Sequence, residues 1–413
     1  MDLFMGGPWI VLGLMALLGS LIEQKGWTNS VSATLKTMVG VVILTQGMGM
    51  ISGAVLPLIE MSTLGLPSGT GEPMGSDKFL AVYGTQVGWV MLCTFVINLV
   101  VARFTPLKNL FLTGHVLFWL AFMFMAVAVE GGLTGLGLVV FATVMTSVYV
   151  IVTPALMVPF VARVTGNDAF TLGHPAMGLS LIVAYVARWT GDKRHSTETL
   201  QLPSQLAFLR EIPLTSALVM FGVYLIMGWS LDGPGSGVAG ERGWFVFSLM
   251  QGVLFGAGLT ILLKGVRMML AEIIPAFKAI GDKVIPGVRP AFDCTTLFPY
   301  APNAVLIGFM VSMLSSTLVV VVMGGSFSWL LLPLAITCFF EIGTAAVFGN
   351  TEGGLRGVII GSAVAGVVMM LLLGFSLPFV ATTIGDWMLV FGGNDYSLWG
   401  IVGGSLVGLF GPS

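Results

Sequence analysis

Residues 300–323 read YAPNAVLIGFMVSMLSSTLVVVVM, without a single Asp, Glu, Lys or Arg. A helix rising about 1.5 Å per residue over that length spans the roughly 30 Å hydrocarbon core of a bilayer. The pattern recurs along the chain. Apolar windows separated by charged or Gly/Pro-rich breaks fall at about 8–23, 38–58, 79–102, 109–129, 134–160, 212–231, 244–264, 300–323, 327–347, 356–382 and 397–411. They predict an all-α polytopic membrane protein of about eleven transmembrane helices, one integral-membrane unit over residues 1–413. Composition agrees: 56% of the 413 residues are hydrophobic and 9% charged, with a mean hydropathy of +1.00. A soluble core of this size would need a polar shell that is missing.

A shorter apolar piece at about 168–188 is interrupted by Gly173, His174, Pro175 and Gly178. It reads as a re-entrant hairpin rather than a crossing helix. Orientation follows from Lys and Arg, which are retained on the cytoplasmic side near helix ends. With the N-terminus outside, 14 of the 17 basic residues become cytoplasmic, leaving Lys78, Arg242 and Arg356. The loop around Ser68–Asp77 is then external. The polar stretch Thr190–Leu209 and the amphipathic stretch Val266–Val288 are then cytoplasmic and lie between spans. Met1–Pro8 carry no basic n-region, so no cleaved signal peptide is expected.

Several chemistries are excluded by what is absent. Cys93, Cys294 and Cys338 stand apart without CxxC spacing, which argues against disulfides and a Cys-ligated metal site. No nucleotide-binding glycine pattern occurs in a strand–helix context, and no spacing suggests a hydrolase triad or a metal centre. No cofactor and no nucleic-acid partner are expected.

The candidate functional residues are the polar groups inside apolar windows. His115 opens an apolar helix in Leu-Thr-Gly-His, and His174 sits in Leu-Gly-His-Pro, so two of only three histidines lie at membrane depth. Each serves either a polar path or a helix-to-helix bond to a backbone carbonyl. Around Asp293 and Asn303, the prolines Pro290, Pro299 and Pro302 break the helix pattern. Broken backbone at that depth must line protein or water, although Asp293 also suits a helix cap. Glu352 lies in a glycine-rich turn that fits either a binding element or a loop. Glu341, inside an apolar span, requires a partner or a proton. Tyr83, Thr85 and Gln86 add hydroxyl and amide groups, and Trp119, one turn after His115, offers an apolar face to a sugar ring or to lipid. This inventory suits a neutral or weakly acidic polyhydroxylated solute.

Four separated stretches, in matching order over nearly the whole chain, carry a resemblance. They are RFTPLKNLFLTGH at 103–115, TLGH at 171–174, STETLQLPSQLAFLREIPLTSALVM from Ser196, and IPG…DC…APNAV between Ile285 and Val305. Together they resemble the ascorbate-type membrane (IIC) component of the bacterial phosphotransferase system. The resemblance implies a homodimer in the bacterial inner membrane. Each protomer would have a V-motif domain for dimerisation, interleaved along the chain with a mobile core of inverted repeats and two re-entrant hairpins that works as an elevator. It implies phosphorylation of the incoming solute by a separate phosphorylated IIB protein, charged through IIA, HPr and phosphoenolpyruvate. It places His115, His174 and Asp293 at the substrate site, with Tyr83, Thr85, Gln86 and Glu352 as neighbours. Ascorbate-type members carry glutamines shortly after both histidines. This chain has Trp119 and Leu120, and Pro175, which widens the expected solute to ascorbate or a related sugar, sugar acid or sugar alcohol. The residues alone leave a second reading open, a proton- or ion-coupled carrier using His115, Asp293 or Glu341.

Overall fold

A computed structural model of the chain describes residues 8–63, 74–200, 211–230, 234, 237–283, 285–323, 327, 331 and 333–410. Most of the expected loop at Ser68–Asp77 and the second half of Thr190–Leu209 lie outside the described residues. Twelve helices organise the rest: α1 (Pro8–Ile22), α2 (Trp27–Thr63), α3 (Gly75–Phe104), α4 (Gly114–Glu130), α5 (Gly135–Thr165), α6 (Met177–Thr190), α7 (Ile212–Ser230), α8 (Trp244–Lys283), α9 (Pro302–Met323), α10 (Gly343–Ser376), α11 (Gly385–Phe391) and α12 (Asp395–Phe410).

Six helical runs among the described residues are long and apolar enough to cross a membrane: Trp27–Ile51, Lys78–Phe104, Gly135–Thr165, Trp244–Ala276, Pro302–Met323 and Ala335–Phe379. Four more apolar helices are shorter, at Leu12–Ile22, Gly114–Glu130, Met177–Thr190 and Pro213–Ile226. The chain is therefore a mostly helical, multi-pass membrane protein. The amphipathic stretch after residue 266 does not form a separate connector. It continues α8 without a break, because nothing between Leu263 and Ile274 interrupts a helix and the one inner proline, Pro275, comes late. On that continuation Glu272 meets Lys36 of α2 at 3.3 Å.

Helices α2 and α8 pack with their backbones in close approach. A Cβ on Gly47 would stand 2.5 Å from the Leu262 backbone nitrogen, and one on Gly265 would stand 2.4 Å from that of Leu44. Small residues allow such approach where lipid tails supply no hydrophobic drive. Helices α1 and α7 pack on the same pair.

The expected spans 327–347 and 356–382 fall on two helical arms that meet at a fold. A short helical piece, Ala335–Thr337, runs through a π-turn at Cys338–Ile342 into α10. Within α10 the backbone leaves the helix at Gly354, with φ 59° and ψ −158°. The two arms fold against each other, since a Cβ on Gly349 would lie 3.5 Å from the Val358 Cα. The fold is braced from outside: Asp192 donates its N–H to the Gly353 carbonyl at 2.8 Å, and Leu355 donates to the His195 carbonyl at 2.7 Å.

One departure from an all-helical reading positions the site. Asn109–Phe111 (β1), Thr171–Leu172 (β2) and Arg289–Phe292 (β3) form a parallel sheet in the order β1-β3-β2. The register pairs Phe111 with Ala291 and Leu172 with Phe292. The outer edge of β1 is closed by one buried side chain on α3. Asn98 donates to the Asn109 carbonyl (3.1 Å) and accepts from the Phe111 N–H (2.9 Å), standing in for a fourth strand. Where water is absent such edges must be satisfied from within. Gly173 permits the close pass of β2 along β3, since a Cβ there would lie 2.9 Å from the Ala291 carbonyl oxygen.

Candidate functional site

Three parallel strands end at one place, and each delivers an ionisable residue there. His115 comes four residues after Phe111, at the second position of α4, His174 comes two residues after Leu172, and Asp293 directly follows Phe292. The strands thus bring together residues far apart in the chain. His115 Nε2 lies 3.3 Å from Asp293 Oδ2, and His174 Nδ1 lies 3.0 Å from Asp293 Oδ1. His174 is 9% exposed, yet neither of its ring nitrogens has a hydrogen bond of acceptable geometry, and Asp293 Oδ1 also lacks one. The His174–Asp293 contact is therefore a close pairing of an imidazole with a carboxylate. On the other side of the ring, His174 Nε2 stands 3.7 Å from Glu341 Oε1, which accepts a 2.6 Å bond from Asn394 Nδ2.

The turn carrying His174 is held by residues that the sequence reading did not single out. Asp395 accepts from the Met177 N–H (3.0 Å) and the Gly178 N–H (2.8 Å), placing a carboxylate at the start of α6, where the helix presents free donors. Tyr149 donates to the same carboxylate at 2.7 Å, and the Asp395 N–H donates to the Pro175 carbonyl at 3.1 Å. Gly178 leaves room for this, since a Cβ there would meet Asp395 Oδ1 at 2.8 Å. An Asp at the first position of a helix reads in sequence as a cap of its own helix, which hides this role.

Trp119 packs against Trp387 of α11 with ring centroids 5.2 Å apart, and Trp387 meets Tyr396 at 5.1 Å. Tyr83 joins this aromatic group through Phe79, at 4.8 Å. Gln86 is half-buried with an unpaired Oε1, and Thr85 is exposed. The contacts of the other two candidates run elsewhere. Asn303, at the start of α9, donates its N–H to Glu198 at 3.1 Å. Glu352, at the fold of α10 and with a side chain only 2% exposed, is surrounded by Arg163, Arg188 (3.2 Å) and Lys193 (3.1 Å). A little further along the same end, Arg289 hydrogen-bonds Asp168 and holds its carboxyl below its ordinary value.

The cluster of two imidazoles and two carboxylates can donate to and accept from hydroxyls. A family model described as "PTS system sugar-specific permease component" matches residues 3–395. Among curated proteins, the "Ascorbate-specific PTS system EIIC component" of Mycoplasma pneumoniae is similar. It is 25% identical over 470 aligned positions, covering 98% of this chain and 70% of that protein.

Proposed function

The chain belongs to the family of phosphotransferase-system sugar-specific permease components, and we propose that it takes up ascorbate or a related sugar, sugar acid or sugar alcohol, binding it at His115, His174 and Asp293. The observation that carries this reading is the set of buried, unpaired polar atoms where the three strands end: both His174 nitrogens, Asp293 Oδ1 and Glu341 Oε2. Such atoms are costly to bury unless something bonds them, and a polyol offers a donor and an acceptor at every hydroxyl. Trp119, Tyr83 and Gln86 complete the solute's surroundings. Thr85, Asn303 and Glu352 act further out, at the rim or in the contacts that set its shape.

The solute leaves phosphorylated by a separate IIB protein docking on the cytoplasmic face. The protein works as an inner-membrane homodimer embedded in lipid, with its N-terminus outside. The clustering of Arg163, Arg188, Lys193 and Arg289 at the end where the strands begin supports that orientation. In this reading α1, α2, α7 and α8 belong to the V-motif domain. The sheet, α3–α6 and α9–α12 form the core, which carries the solute in an elevator movement. The turn at His174 and the folded α10 are its re-entrant hairpins.

Vesicles containing the protein and a phosphorylated IIB partner test the coupling. Uptake of one of these solutes should require the partner and deliver the phosphorylated product. Equal uptake without IIB, driven by a pH gradient, would replace this reading with a proton-coupled carrier. The Glu341–His174–Asp293–His115 sequence of ionisable groups favours that alternative.

A further inference from the structure

No metal-binding spacing is visible along the chain, yet the sheet assembles one in space. His115, His174 and Asp293 each offer a ligand atom, and all lie within 4.8 Å of one another. Tetrahedral ligands about 2.1 Å from a zinc ion stand roughly 3.4 Å apart. The two imidazole-to-carboxylate separations, 3.3 Å and 3.0 Å to different oxygens of Asp293, are close to that value, and the three ligand atoms lie within 4.8 Å of one another, so an ion would draw them closer together. His174 Nδ1 and Asp293 Oδ1 are buried and 3.0 Å apart.

A further carboxylate stands behind the cluster. Behind His174, Nε2 faces Glu341 Oε1 at 3.7 Å, and Asn394 fixes that carboxylate at 2.6 Å. A carboxylate that accepts the other ring N–H of a ligating histidine selects its tautomer and raises its basicity, and Glu341 stands just beyond that reach. Two imidazoles with one carboxylate also discriminate among ions. Magnesium and calcium prefer sets made only of oxygen, whereas zinc and its neighbours accept imidazole.

We propose that His115 Nε2, His174 Nδ1 and the Asp293 carboxylate form a binding site for a divalent transition-metal ion, best matched to zinc, with a fourth position open to water. The inference rests on the proposed solute site in one respect: zinc on these atoms occupies the groups that the carbohydrate would use, so the two compete.

The test uses the full-length protein carrying Cys93→Ser, which removes an exposed free thiol. Stripped of metal and titrated with zinc against a chelating indicator, it should bind one ion per chain. His115→Ala, His174→Ala and Asp293→Asn should each weaken binding by about 100-fold, on the order of 10- to 100-fold being the usual loss even for a residue that only hydrogen-bonds a ligand to the metal. Asp192→Asn, which alters an exposed carboxylate away from the cluster, should not. A thousandfold excess of magnesium should leave the zinc in place. The zinc-edge absorption spectrum of the unmutated cluster needs no site variant to fold, and it should show nitrogen and oxygen neighbours without sulfur. Sulfur ligation would assign the ion to Cys294 or Cys338 and overturn the proposal, as would unchanged affinity in folded His174→Ala. The solute arm separates the two ideas. With zinc at 100 times its dissociation constant, the apparent solute dissociation constant should rise about 100-fold. Solute binding indifferent to zinc would reject the metal site and leave the solute site standing. Zinc binding without any carbohydrate binding would do the reverse.

Discussion

At the scale of single residues, the cluster divides into groups that meet the solute and groups that hold them. His174 belongs to the first set. Removing it should weaken carbohydrate binding by about 1–3 kcal/mol, or roughly 5- to 150-fold, while the melting temperature in detergent barely moves. Asp395 belongs to the second, because it accepts three bonds from Tyr149, Met177 and Gly178. Asp395→Ala should therefore lower both the melting temperature and solute affinity; an unchanged melting curve would show that the turn holds itself. His115, His174, Asp293 and Glu341 were legible in the sequence because an ionisable residue in an apolar run is expensive and invites explanation. Asp395, Tyr149 and Asn98 were not. A helix-opening Asp, a Tyr among apolar residues and an Asn near a helix end each have an ordinary local explanation, and only the fold reveals their distant partners.

At the scale of elements, hydropathy located the apolar runs, and the glycine-rich turn between 327–347 and 356–382 is where the chain folds, at Gly354. That position has a backbone conformation accessible almost only to glycine, and a Cβ there would lie 2.4 Å from the carbonyl oxygens of Asp192 and His195. Gly354→Ala should destabilise the protein by about 1–3 kcal/mol, read as a lower melting temperature. Gly84→Ala, where a Cβ would meet nothing within 4 Å, should be silent. Equal melting for both would mean that the fold of α10 is not braced by residues 190–195. The sheet escaped the sequence for a different reason. Strands of two to four residues carry no periodicity that a reading window can detect.

At the scale of the whole molecule, the distribution of charge predicts an orientation that a chemical probe can read. In a Cys93→Ser background, Arg194→Cys should resist an impermeant thiol reagent in intact cells, and Glu241→Cys should react. Labelling at residue 194 alone would reverse the proposed topology. The multi-pass character was legible from composition because few residues are charged. The number of helices long enough to cross was not, since a short apolar helix such as α4 packs inside the protein and hydropathy does not distinguish it from a span.

The strand order carries a consequence for biogenesis. β3 lies between the other two strands, yet it is made last, and its first residue pairs with one 180 positions earlier (289 minus 109). At roughly 5–20 residues per second, about 10–40 s separate the emergence of β1 from that of its partner. During that interval β1 and β2 cannot pair with each other in their final places, because the gap between them belongs to a segment not yet synthesised. Asn98 is already present to close one edge of β1, while the other edge must wait. A nascent chain halted before residue 289 would hold both histidines with no carboxylate between them, so solute recognition arises as one of the late events in the protein's assembly.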